Sequence, residues 1–285
     1  MPRPRILVTN DDGIDSVGLH VLARALTDLG DVTVVAPDQE FSGAGAAIGA
    51  LHVMQPEVHV AAIDGIESAW AVSGPPALCV MFARLGAFGI NPDLIVSGIN
   101  PGANVGRSVY HSGTVGAVLT GRNGRIPGIA VSQSVTDFGV EGQGYDEMLA
   151  GQEWESAATI AVSAAQSLLA DPPPDFGVLN INVPNLPVAE MKGWRWTEVG
   201  EGPPRAMSKA VLEPKLGHQG SYRVKLEWGD ELELPPHTDT GTVMDDRISL
   251  TWLSRITAMD FNTPAVDTAM NRMLAHDLAG SPTGA

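Results

Sequence analysis

Residues 5–37 limit the fold more tightly than any other stretch. "RILVTN" (5–10) is short and almost wholly apolar. Leu19, Leu22, Leu26 and Leu29 then recur at helical spacing, with Ser16 as a cap and Gly30 as a stop. "DVTVVAP" (31–37) is a second apolar run, closed by Pro37. Two buried strands joined through one helix by short returns form a parallel pair covered on both faces. The rest repeats that texture. Strands are expected in "LHVMQPEVHVAAI", "SAWAVSG", "PDLIVSGIN" (92–100), "IPGIAVSQS" (126–134) and "FGVLNINVP" (176–184). Helices are expected over 75–86, 113–124 and 154–170, the last stopped by Pro172–Pro174. The fold class is α/β, a three-layer parallel sheet.

After Pro187 the pattern changes. Residues 188–253 hold four of the six tryptophans, Gly/Pro turns and alternating runs such as "SYRVKLEW". They read as antiparallel hairpin material projecting from the core. Thr263 and Pro264 open a C-terminal amphipathic helix with Val266, Met270 and Met273 on one side, and "SPTGA" is a frayed tail. The expected organisation is a core over 1–187 and an extension over 188–285 of the same structural domain.

Composition narrows the function. A net charge of -16 repels polyphosphate, and 5% aromatics leave little stacking surface, so a nucleic-acid polymer is not an expected partner. Cys79, the single cysteine, lies in the apolar run "ALCVMFARL" and reads as a buried small hydrophobe. No secretory signal or bilayer-spanning run is read, so no membrane partner and a cytoplasmic location are expected.

In an open parallel sheet, ligands bind beyond the carboxyl ends of the strands. The first strand delivers Asn10, Asp11 and Asp12 there. The second leads to a loop with Ser42 and Gly43, and "PDLIVSGIN" delivers Ser97 and Asn100. Two carboxylates, a hydroxyl and an amide are hard oxygen donors suited to Mg²⁺, Mn²⁺ or Ca²⁺. Taken alone, "NDDG" fits a simpler arrangement, with Asp11 capping the next helix and Asp12 in a turn with Gly13. Taken with Ser42 and Asn100, the set favours a cation. Ser112, Gly113 and Thr114 of "HSGTVGAV" open a helix, so their N–H groups and hydroxyls suit either a plain cap or an anion. "GINPGANVG" lacks the lysine of a P-loop and is a poor dinucleotide fingerprint. The histidines do not pair at metal-ligand spacing; His20 reads as structural, and His111 adjoins the anion turn.

Five blocks carry a resemblance: "ILVTNDDGIDSVGLHVLARAL", "VAPDQEFSGAG", "PDLIVSGINPGANVG", "HSGTVGAVLTGR" and "LNINVP". In order and separation they resemble the SurE family of stationary-phase survival proteins, over residues 5–184. The resemblance implies a Rossmann-like core with a C-terminal hairpin or helix arm exchanged in a homodimer or homotetramer. It implies a phosphatase that uses one divalent metal ion per subunit to hydrolyse nucleoside 5′- and 3′-monophosphates. By motif, the metal ligands fall on Asp11, Asp12, Ser42 and Asn100. The phosphate contacts fall on Asn104, Ser112, Gly113 and Thr114, and Asp11 and Asp12 carry the catalysis.

Three segments depart from the family pattern. Leu78 stands where an aspartate is common. "AGAAIG" replaces a more polar run. Asp246 and Arg247 replace a glycine–tyrosine pair, although Thr238 and Asp239 are kept. These leave a rival open: a nucleotide- or metal-binding regulatory protein without turnover. An aspartyl-phosphate mechanism is disfavoured because it needs D-x-D, and here Gly13 occupies the third position.

Overall fold

Arg5–Thr9 (β1) is buried from its second residue onward and alternates between two apolar layers. Ile6 and Val8 pack with Leu19, Leu22 and Leu26 of Val17–Leu26 (α1) and with Ala161 and Ala165 of Trp154–Ala170 (α4). Leu7 faces the other way, toward Cys79 and Val80 of Pro76–Arg84 (α2) and Val115 and Val118 of Gly113–Asn123 (α3). Each of these large aliphatic side chains, once fully buried, contributes roughly 2 kcal/mol. The computed structural model describes residues 2–51, 53, 55–135, 149–173, 177–202, 205–231, 233–254, 256 and 264–279.

The remaining strands are Asp31–Pro37 (β2), Val58–Ile63 (β3), Ile66–Val72 (β4), Leu94–Pro101 (β5), Gly128–Gln133 (β6), Val178–Val183 (β7), Trp194–Trp196 (β8), Arg205–Pro214 (β9), Tyr222–Glu231 (β10) and Ile248–Leu253 (β11). The described residues form a nine-stranded sheet in the order β3-β4-β2-β1-β5-β6-β7-β11-β8. From β4 through β7 all neighbours run parallel. β3 and β11 join antiparallel at either side. The α/β expectation holds, with helices on both faces of a largely parallel sheet.

Two sequence expectations change. The first helix ends at Leu26, where the Thr27 hydroxyl donates to the Arg24 carbonyl, four residues before Gly30. Gly30 instead sits against the Pro4 carbonyl, where any Cβ would collide. The segment after Pro187 also divides. β8 pairs parallel to β11, and β11 pairs with β7, so both extend the main sheet rather than project from it. The projecting part is β9–β10, a separate antiparallel hairpin. Its register puts Ala210, Leu212, Pro214, Tyr222, Val224 and Leu226 on one face and Lys209, Glu213, Arg223, Lys225 and Glu227 on the other.

One compact unit runs through Ser254, and a second begins at Arg255. In the second, Pro264–Ala279 (α6) is the expected C-terminal helix, with Val266, Met270 and Met273 about half exposed. Thr263, Pro174, the segment 176 and the tail 280–285 lie outside the described residues. Among the described residues no helix is long and apolar enough to cross a membrane.

Candidate functional site

The site is built where β1 stops. Thr9 is the register partner of Ser97, so Asp12 and Asn100 each lie three residues beyond one pair on adjacent strands. The chain turns between them under tight control. Asn10 donates from its amide nitrogen to the Gly13 carbonyl at 3.0 Å and to the Ser16 hydroxyl at 2.7 Å. Gly13 has φ +100°, a conformation that suits glycine. Ser16 caps α1, accepting from the Leu19 N–H. The helix cap is therefore Ser16, as its position suggested, and Asp11 is left for other work.

Asp11 is 3% exposed. Its Oδ1 accepts from the Thr114 hydroxyl at 2.6 Å. Burial raises its pKa, while the Thr114 hydroxyl and the Thr114 and Gly113 backbone N–H groups pull it back down. The amino end of α3 thus faces the Asp11 carboxylate. Gly113 is required there, because a Cβ would lie 2.7 Å from the Asp11 side chain. Asp12 has no such support. Its Oδ2 is buried and has no hydrogen-bond partner among the described residues. Burial first, then the charges of Asp11 and Glu40, push its pKa well above the usual carboxylate range.

Ser42 follows in the chain on a backbone contact to Asp11, and Asn100 ends the strand beside β1. The Phe41 N–H donates to the Asp11 carbonyl at 2.7 Å, which brings the exposed Ser42 next to the aspartates along the chain. Gly45 N–H donates to the His111 carbonyl at 3.0 Å, and Gly116 lets the Gly45 carbonyl lie against α3. The small residues of "AGAAIG" so fasten this loop to the helix. Asn100 donates from its amide nitrogen to the Gly102 carbonyl at 2.6 Å, which leaves its side-chain oxygen as the atom with ligand capacity. Two adjacent, poorly solvated carboxylates, one with an orphaned oxygen, fit a divalent cation, which would relieve both desolvation and mutual repulsion. Among the described residues no three His, Cys, Asp or Glu side chains cluster, so a cation held here would also need neutral oxygens.

Asn104 is buried and held by amides below it. Its N–H donates to Asn182 Oδ1 at 2.7 Å, and its carbonyl accepts from Asn180 and Asn182. Its Nδ2 donates to the Ser132 hydroxyl at 2.8 Å. Ser112 caps α3, accepting from the Val115 N–H at 3.1 Å. His111 is exposed, and His20 binds the Ile14 carbonyl at 2.8 Å, in keeping with a structural role. Cys79 is fully buried, and burial raises its thiol pKa. Leu78 is also fully buried, beside Gly74, so that departure from the family pattern is a packing residue.

The Survival protein SurE family matches residues 6–205. The chain belongs to the SurE family. It is similar to 5′-nucleotidase SurE of Stenotrophomonas maltophilia (strain R551-3), 36% identical over 252 residues, covering 87% of this chain and 88% of that one. The corresponding protein of Coxiella burnetii (strain RSA 331 / Henzerling II) is 34% identical over 250 residues, 88% of each chain. The crystal structure of the SurE protein from Aquifex aeolicus superposes with a TM-score of 0.69 at 30% identity, covering 95% of this chain and 99% of that chain.

Within this SurE fold, sequence reading missed several supporting residues. Asn180 and Asn182 alternate in an otherwise apolar strand, and that period of two was a usable signal. Asn10 gave none beyond its place beside the aspartates.

Proposed function

We propose that this SurE-family chain is a divalent-metal-dependent phosphomonoesterase that hydrolyses nucleoside 5′-monophosphates to nucleoside and phosphate. Nucleoside 3′-monophosphates are a second substrate class for the same assay. The observation that carries the reading is the Asp11–Asp12 pair at the end of β1, with one buried Asp12 oxygen left open. Similarity to proteins named 5′-nucleotidase SurE supports the substrate class.

Asp11, Asp12, Ser42 and Asn100 would hold one Mg²⁺ or Mn²⁺, and Ca²⁺ suits the same oxygens. When bound, such an ion supplies Lewis-acid charge at a phosphoryl group and acidifies water. The Thr114 hydroxyl and the start of α3 favour the ionised form of Asp11 against the burial that raises its pKa. One of the two aspartates would also take the proton of the attacking water. Asn104, Ser112, Gly113 and Thr114 would orient the phosphoryl oxygens through amide, hydroxyl and N–H donors. The chain would act as a homodimer or homotetramer, with the apolar face of β9–β10 and α6 as the arm.

The rival of a binding protein without turnover has weaker support. Leu78 lies in the core, and the "AGAAIG" loop packs on α3 without displacing an aspartate. Release of inorganic phosphate from nucleoside monophosphates with Mn²⁺ or Mg²⁺ is the test. Activity is expected in the wild type and lost with excess EDTA; tight nucleotide binding with no phosphate release would favour the rival.

A further inference from the structure

We infer that Asp239 is a positioning residue for the site. Its carboxylate fixes the loop that carries Asn104 and the turn that leads into Ser112–Thr114. The inference rests on the nucleotidase reading above.

Asp239 opens Asp239–Met244 (α5) and is 0% exposed. The helix does not need this side chain as its cap, because the Thr238 hydroxyl already accepts from the Gly241 N–H. The Asp239 oxygens reach elsewhere. Oδ1 accepts from the Gly200 and Thr240 N–H groups, each at 2.8 Å. Oδ2 accepts from the Gly106 N–H at 2.8 Å, across 133 residues of sequence. A buried carboxylate satisfied by backbone N–H groups is a rigid anchor, and bonds to a charged acceptor are stronger than neutral ones.

Gly106 is where that anchor matters. It lies two residues after Asn104 and begins the 3-10 turn Gly106–Tyr110. The Ser108 carbonyl of that turn accepts from the His111 and Ser112 N–H groups. A shift at Gly106 therefore moves Asn104 on one side and the start of α3 on the other. The fit around it is close. Gly106 has φ +54°, and a Cβ there would lie 2.7 Å from Gly202. Gly202 is itself held by the Thr240 hydroxyl, which donates to its carbonyl at 2.9 Å. The loop is thus pinned by Gln133 at Gly102, by Asn180 and Asn182 at Asn104, and by Asp239 at Gly106. The last pin comes from the C-terminal segment, which contributes none of the proposed ligands.

The test is Asp239→Asn, which keeps the shape but replaces one acceptor with an NH₂ group that cannot receive an N–H. Phosphate release from a nucleoside 5′-monophosphate and Mn²⁺ affinity are measured on the same protein. The expected result is a fall in kcat/KM of about 10- to 100-fold, carried mainly by KM, as for a misplaced binding group. Mn²⁺ affinity should fall by much less than kcat/KM, because the shift reaches Asp11 only through Thr114 and Gly113. A smaller folded fraction would instead lower kcat and leave KM alone. Thr240→Val, which releases Gly202 beneath Gly106, should raise KM by about fivefold and serves if Asp239→Asn does not fold. Wild-type activity with an unchanged KM in the folded variant overturns this inference by itself. A wild type that releases no phosphate overturns the nucleotidase reading and this inference with it.

Discussion

At the carboxyl edge of the main sheet polar groups are buried, while on the β9–β10 hairpin apolar groups are exposed. The first region places Asp11, Asn104, Ser112 and Thr114 out of water. The second leaves Leu212, Tyr222 and Val224 more than half exposed on one face of a two-stranded sheet. Such a hairpin is marginal in water by itself. Its charged face is in order, with Lys209–Glu227 paired at 3.2 Å. Each region breaks the usual burial rule in the opposite sense. A buried carboxylate without a partner calls for a small, charged one. An exposed apolar face calls for a large, apolar one. The two regions should therefore fail separately, one in chemistry and the other in assembly.

The largest effect is expected at the buried edge. Asp12→Asn removes half of the acidic pair and should cut phosphate release on the order of 10³-fold or more, measured at saturating Mn²⁺. Its mass in solution should equal that of the wild type. Equal activity would break the assignment of the aspartates, and a changed mass would break the independence of the two regions.

Next comes the hairpin. Leu212→Glu with Val224→Lys puts charges on its apolar face, where the two residues are cross-strand partners. If the proposed arm joins copies of the chain, sedimentation should show a shift toward the 29.8 kDa chain, with self-association weakened on the order of 100-fold. The thermal midpoint of the main unit should hardly change. An unchanged oligomer would remove the hairpin from the interface.

A smaller effect concerns the metal-free protein. Asp12 has a folded-state pKa raised above its unfolded value, first by burial. The stability it contributes is complete below the unfolded pKa and is lost as pH rises through the raised value. Asp12→Asn cannot ionise and escapes that loss. In EDTA it should be the more stable protein at neutral pH, by about 1–2 kcal/mol, with the gap closing as pH falls toward 4. Adding Mn²⁺ should reverse the order by stabilising the wild type alone. Thermal melts across pH with and without metal give the answer. A gap that widens on acidification would mean that the Asp12 environment has the opposite sign.

Much of this was legible in the sequence. Apolar runs ending in polar residues located β1, β2, β5 and β6, because strands buried on both faces need no polar alternation, while β7 was located despite Asn180 and Asn182. The rule that ligands gather beyond strand ends groups Asp11, Asp12, Ser42 and Asn100 from the sequence alone. β8 was not legible, since three residues carry no period, and its place was set by pairing with β11. Asp239 is kept in the family pattern, but its bond to Gly106 is one that no local pattern encodes. Ser112 and Thr114 were legible as the opening of a helix, and Ser112 is its cap. That this opening faces Asp11 follows from α3 packing across the sheet.

One departure from the family pattern, at Asp246, should matter least. Asp246 stands where relatives tend to have glycine, and its φ is +54°. That left-handed conformation favours glycine, though aspartate tolerates it better than most residues. Its carboxylate also meets Lys192 Nζ at 3.0 Å, with both side chains about half exposed. An ion pair of that kind contributes at most about 1 kcal/mol. Asp246→Gly relieves the backbone, loses the pair and loosens the unfolded chain. The sum should be small: a thermal midpoint within about 2 °C of the wild type, with kcat/KM and oligomer mass both unchanged. Asp246 lies next to Arg247, which ties Asp245 and the Lys192 carbonyl together. A change in activity would therefore mean that this corner, which leads directly from α5 into β11, transmits to the Asp239 anchor.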